Sequence, residues 1–160
     1  MFIKFILNKP YKHIIRGIRN MKFNKKNIPE LIELLKKEYT DAKCSLDFDT
    51  AFHLLVAVAL SAQCTDERVN KTTPSLFSVY STPEDFANAK IEKLEELIRP
   101  CGFYKVKSKN LIACGKMLVE KYNSKVPNNM DSLTKLPGIG RKSANVIMLN
   151  AYNNPVRNSS

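Results

Sequence analysis

Apolar residues recur along this chain at spacings of three and four, and nowhere does a period-two alternation run for a useful length. The pattern predicts an all-α fold: a helical bundle or barrel-like domain without strands. Ile28-Pro29-Glu30-Leu31 opens an amphipathic helix in which Leu31, Ile32, Leu34, Leu35 and Tyr39 share a face opposite Glu33, Lys36 and Lys37. Asp49 or Thr50 caps the next helix, which is apolar nearly all round from Ala51 to Leu60 and is therefore expected at the buried centre. Small polar residues from Ser61 to Asp66 end it, and the stretch from Asp66 to Tyr80 reads as helix with a kink at Pro74. Ser81-Thr82-Pro83-Glu84-Asp85 has the form of a helix start: a cap, a proline in first position, then two acids at the positive end of the dipole. Ile91 to Ile98 follows with Leu94, Leu97 and Ile98 inward. After a break over Arg99 to Tyr104, a long basic helix from about Lys105 to Tyr122 is expected to bury Val106, Leu111, Met117 and Leu118. A loop containing Pro127 leads to a short helix over Asp131 to Lys135, with Asp131 as its N-cap.

The most informative stretch comes next. Leu136-Pro137-Gly138-Ile139-Gly140-Arg141-Lys142 joins that short helix to a second one in which Ala144, Ile147, Met148 and Ala151 fall on one face. Pro137 pre-sets a turn, while Gly138 and Gly140 admit positive φ and a close backbone approach. The helix beginning near Arg141 has unpartnered amides at its start, and its dipole adds positive potential there, so the unit is built to meet an anion. A phosphate is the natural one. The same Pro-Gly pattern also suits an ordinary helix-to-helix connection. Against that stand Arg141 and Lys142, placed at the anion-binding end.

Charge is laid out accordingly. The net +11 divides into +8 over residues 1–26, −5 over 27–100 and +8 over 101–160, so the hairpin lies in a basic third, as a polyanion-binding face requires. A solvated lysine surface would give the same totals. Cys44, Cys64, Cys101 and Cys114 are spaced 20, 37 and 13 residues apart with no Cys-x2-Cys pair, which reads as isolated reduced thiols rather than a metal or iron–sulfur site. His53, in an apolar helix, reads as a structural histidine. The longest apolar run, Leu54 to Leu60, is far short of the ~20 residues of a membrane span. Residues 1–20 read as a basic leader or as a spurious extension before a start at Met21. The leader is too charged for a secretory signal, and for a transit peptide it lacks Ser and has few Arg. An intracellular location, in cytoplasm or nucleoid, is expected, with organelle targeting by the basic leader as the less favoured alternative.

Three stretches in order carry a resemblance: Leu60-Ser61-Ala62-Gln63-Cys64-Thr65-Asp66 with Val69-Asn70-Lys71, Cys101-Gly102-Phe103-Tyr104 with Lys107-Ser108-Lys109, and Leu136 to Asn150. Over roughly residues 28–155 the chain resembles the endonuclease III family of DNA glycosylases with abasic-site lyase activity, within the helix-hairpin-helix glycosylase superfamily. The resemblance implies base-excision repair of oxidised pyrimidines and cleavage at abasic sites in double-stranded DNA, by a monomer. It places Lys142 at the catalytic lysine, whose amine attacks C1′ and forms a Schiff base that permits β-elimination. The alternative is a non-catalytic helix-hairpin-helix DNA-binding module in which Lys142 only grips phosphate. Gln63 and Phe103 match the residues that fill the stack where a nucleotide is flipped out. For Phe103, burial in the core is an equal alternative. Leu136, Gly138, Ile139, Gly140 and Arg141 match the DNA-binding hairpin.

The chain also departs from the family. A catalytic aspartate is expected near position 160, where Ser160 stands, and no acid follows Asp131. The family's [4Fe–4S] cluster is expected in a full-length relative, while its cysteines are absent from this sequence. The expected organisation is a first helix (21–43) belonging to a second, cluster-bearing domain, a central glycosylase domain (44–155) and a divergent tail (156–160). A truncated, weakly active or inactive form is the expectation for the chain as it stands.

Overall fold

The computed structural model describes residues 44–152; the leader, the helix expected over 28–40 and the 156–160 tail lie outside the described residues. Every regular element within 44–152 is helical. The first, α1 (Ala51–Ser61), is capped by Thr50, whose side chain accepts from the His53 amide at 3.0 Å. Its residues from Phe52 to Val58, and Leu60, are buried, so α1 is the central helix that its all-round apolar sequence requires. His53 is satisfied on both ring nitrogens. It pairs through Nδ1 with Asp49 and through Nε2 with the Ser81 hydroxyl at 3.0 Å, while its ring stacks on Phe77 at 3.9 Å.

Around α1 the remaining helices are laid by local signals. Thr65 caps α2 (Asp66–Phe77), and Asp66 and Glu67 occupy its positive first turn. Val69, Thr72, Thr73 and Leu76 are its buried face. Pro74 sits inside α2, which runs on to Phe77 and stops there rather than at Tyr80. Thr82 and Asp85 form a reciprocal capping box at α3 (Pro83–Ala87), and α4 (Ile91–Ile98) buries Leu94 and Ile98. A 3-10 turn (Arg99–Cys101) leads to α5 (Tyr104–Tyr122). Helix α6 (Met130–Leu133) is capped by Asn129, whose side chain accepts from the Ser132 amide at 2.9 Å. The expected cap, Asp131, lies in its first turn, because Asn129 has the extended backbone that a cap needs. Helix α7 (Arg141–Tyr152) then packs back on α1 and buries Ala144, Ile147 and Met148; Ala151, expected with them, is half-buried.

The long helix α5 corrects the sequence reading most. Its buried face is Lys107, Ser108, Leu111, Cys114, Gly115 and Leu118, a helical stripe that excludes Val106, which is 60% exposed, and leaves Met117 only half-buried. Close contact with α3 sets that register. A Cβ on Gly115 would come within 2.8 Å of both the Ala87 nitrogen and the Pro83 carbonyl, backbone atoms that cannot swing aside. Hydropathy alone assigns Val106 inward and Lys107 outward; the packing of α5 on α3 reverses the pair.

Gly115→Ala should therefore destabilise the fold by about 1–3 kcal/mol, read from thermal or urea unfolding. The Asp85 carboxylate is held below its ordinary 3.8 by the Ser81 and Thr82 amides, each at 2.9 Å. A lowered carboxylate contributes stability above its unfolded value and loses it as pH falls through the folded one. Melting temperature should drop on acidification below about pH 4, and Asp85→Ala should flatten that acid limb while costing about 1 kcal/mol near neutrality.

Candidate nucleic-acid interface

The hairpin is built from its hydrogen bonds. Helix α6 tightens as Lys135 and Leu136 amides donate to the Ser132 and Leu133 carbonyls at 3.2 and 3.1 Å. The Leu136 carbonyl then accepts from the Ile139 amide at 3.1 Å, with Pro137 second and Gly138 third at φ +82°, the arrangement of a type II turn. Leu136 and Ile139, 2% and 4% exposed, anchor the two ends of the turn in the core. Their side chains are therefore turned away from solvent.

The two glycines have different reasons to be glycine. Gly138 needs the left-handed backbone, and a Cβ there would also press on the Asn110 side chain at 3.1 Å. Gly140 has open space where a Cβ would sit, and its φ is not positive. Nothing among the described residues demands a glycine at 140, whereas an outside backbone approaching closely would. The Gly140 carbonyl accepts from the Ala144 amide at 2.9 Å, which makes Gly140 the cap of α7. The amides of Arg141, Lys142 and Ser143 have no acceptor among the described residues, and no acid stands in the first turn. Arg141 and Lys142 are exposed and pair with no carboxylate among the described residues.

Gln63 and Phe103 come together beside the hairpin. A cleft of about 230 Å³ is lined by Ala59, Ala62, Gln63, Phe103, Val106, Lys107, Asn110 and Gly138, which joins three separated chain segments. Gln63 is exposed at φ +55° and Phe103 at φ +48°, both left-handed although neither is glycine. Such backbone costs on the order of 1–3 kcal/mol and persists only where its surroundings enforce it. Phe103 is 65% exposed, which removes the core alternative. An exposed phenyl ring forgoes about 1.5–3 kcal/mol of burial, so folding stability does not account for it. Lys142 does not line this cleft; it stands at the start of α7, beyond the turn that Gly138 contributes. Ala59, Val106 and Asn110 are lining residues that sequence reasoning missed, since each falls within a helix without a local motif, while Ala62 and Lys107 lie in the stretches that carry the resemblance but were assigned no role.

Fold and hairpin together define a helix-hairpin-helix domain. The chain belongs to the HhH-GPD superfamily of base excision DNA repair proteins, whose family model matches residues 56–156. It is 44% identical over 135 residues to endonuclease III of Synechocystis sp. and 42% identical over 132 residues to endonuclease III of Bacillus subtilis, covering 84% and 82% of this chain. Those alignments cover 62% and 60% of the relatives, so the chain spans about three-fifths of their length. Among solved structures, a non-covalent endonuclease III–DNA complex matches with a TM-score of 0.78 and 44% identity, covering 82% of this chain and 61% of that one. A trapped endonuclease III–DNA covalent intermediate matches with the same score and identity, covering 62% of its chain.

The cysteines do not fit the iron–sulfur cluster that the family implies. Cys44, Cys64, Cys101 and Cys114 are free, and no group of three or more metal-ligating side chains gathers among the described residues. Burial pushes the Cys114 thiol up to about 12, which makes it an unreactive core residue. No described helix is long and apolar enough to cross a membrane.

The contrast between the glycines is measurable by urea unfolding. Gly138→Ala should cost more than about 1 kcal/mol, because alanine is strained at positive φ. Gly140→Ala should change stability by less than about 0.5 kcal/mol, a poorer cap being offset by a less flexible unfolded chain.

Proposed function

We propose that this chain grips double-stranded DNA at damaged or abasic sites through the 136–143 hairpin, and that Lys142 supplies the amine for glycosylase and abasic-site lyase chemistry on oxidised pyrimidines. The Arg141, Lys142 and Ser143 amides beyond Gly140, which have no acceptor among the described residues, carry the reading, since they offer a preset cradle for a phosphate. Family membership and the likeness to DNA-bound endonuclease III support it. One phosphate seated on the cradle fixes the register of the strand, so that the Lys142 amine meets the neighbouring sugar. Gln63 and Phe103, projecting from the cleft rim, enter the stack when a nucleotide is extruded, with an aromatic ring for the stacking. At an abasic site the amine adds to the C1′ aldehyde, water leaves, and the imine acidifies the C2′ proton so that the 3′ phosphate is eliminated. Such a protein works as a monomer inside the cell, where its substrate is.

A second reading has one observation in its favour: no carboxylate among the described residues reaches Lys142 to assist its proton transfers. In that reading the chain is a non-catalytic helix-hairpin-helix module. Incubation with an abasic-site duplex separates the two. Cleavage that Lys142→Ala abolishes, while Kd rises less than about fivefold, supports the enzyme. Binding with a steep salt dependence and no cleavage supports the module. Either way, Arg141→Ala should weaken binding and reduce the slope of log K against log salt by about 1. The stable Gly140→Ala protein should bind at least about fivefold more weakly, because its methyl group meets the incoming backbone.

A further inference from the structure

Lys107 is the buried charged residue that the proposed chemistry does not use. It projects from the first turns of α5, is 8% exposed, and donates from Nζ to two carbonyls: Leu60 at 2.9 Å and Cys101 at 2.8 Å. Both acceptors lie at helix ends. Leu60 is in the last turn of α1, and Cys101 closes the 3-10 turn, where carbonyls lack intrahelical donors. The two segments are 41 residues apart in sequence and share this ammonium as a common donor. The thiols of Cys64 and Cys101 lie beside it, and burial draws the amine below the ordinary lysine range.

The position of these carbonyls in the chain is what matters. Leu60 precedes Gln63 by three residues, and Cys101 precedes Phe103 by two, with Gly102 between at φ +68°. Gln63 and Phe103 are the two non-glycine residues held at positive φ beside the cleft, and Lys107 itself lines that cleft. A strained backbone needs over-determined surroundings, and a short charge-assisted hydrogen bond just upstream of each strained residue provides them.

We propose that Lys107 is a positioning residue that locks the Gln63 and Phe103 loops at a fixed separation, so that both side chains are preset to enter the DNA stack together. Its action on DNA rests on the function proposed above; its action on the loops of the free protein does not. Lys107 is not a spare nucleophile, because two of its three protons are committed to carbonyls and the amine is held as a donor. Preorganisation of this kind changes the distortion of the bound DNA more than the grip on its phosphates, since the hairpin makes the latter.

The test uses the 160-residue chain and its Lys107→Met variant. By amide hydrogen exchange in the free protein, residues 62–65 and 102–104 should exchange about tenfold faster in the variant, with the start of α7 unchanged. No acceleration would overturn the lock. With a duplex carrying a tetrahydrofuran abasic analogue opposite 2-aminopurine, the fluorescence rise that reports unstacking should fall about fivefold while Kd changes less than about threefold. An undiminished rise, or a loss of affinity in step with the signal, would overturn the positioning role. If the unaltered chain binds no abasic duplex, the proposed function fails and exchange alone decides the lock. Should Lys107→Met lose the native circular dichroism, Lys107→Gln, too short to reach both carbonyls, takes its place in both measurements. Loss of fold in both variants would make Lys107 a general core residue and overturn its local role.

Discussion

Helix ends carry backbone groups that a helix does not satisfy, and the way each end is treated organises this molecule. Thr50, Thr65, Thr82 and Asn129 close the starts of α1, α2, α3 and α6 with their side chains. Lys107 closes two carbonyl ends. The start of α7 is capped by Gly140, which has no side chain to offer, and the amides beyond it, beside exposed Arg141 and Lys142, have no acceptor among the described residues. What the fold leaves open at that point is what a phosphate would complete. The buried anchors Leu136 and Ile139 hold the open end in place, so exposing polar groups there does not loosen the turn.

Of the four left-handed non-glycine residues among those described, Asn123 and Ser124 lie at the end of α5, and the other two lie at the cleft. Gln63 and Phe103 are left-handed without being glycine, and Phe103 with Val106 puts apolar surface at the cleft rim. None of this serves stability. Each feature becomes economical if the partner is a base stack that has lost a nucleotide, where an aromatic ring and an amide replace the missing contacts. Under the proposed function, the cleft, the hairpin and the strained loops would answer one requirement: complementarity to distorted rather than regular DNA.

Much of this was legible in the sequence because its signals are local. Pro137, Gly138 and Gly140 announce a turn, Thr82-Pro83-Glu84-Asp85 a capped helix, and the apolar run of α1 a central position; each depends on residues a few positions apart. The errors arose where distant packing decides. Hydropathy favours Val106 over Lys107 for the interior, yet the contact of Gly115 with α3 turns α5 so that the lysine goes in and finds two carbonyls. Asn129 and Asp131 are both good caps, and only the backbone bend at 129 separates them. Phe103 reads equally as core or as wedge in the sequence, and its exposure follows from the left-handed kink after Gly102. The roles proposed for Lys142, Gln63 and Phe103 rest on resemblance to a family, since no spacing rule identifies a nucleophilic amine or a wedge.

The central claim is that the hairpin delivers the Lys142 amine to the sugar of a damaged nucleotide, and trapping the imine tests it most directly. Borohydride reduction of the chain mixed with an abasic-site duplex should yield a covalent protein–DNA species, and peptide mapping should find the deoxyribose remnant on Lys142. A crosslink that maps elsewhere, or no crosslink where the duplex is demonstrably bound, would contradict it.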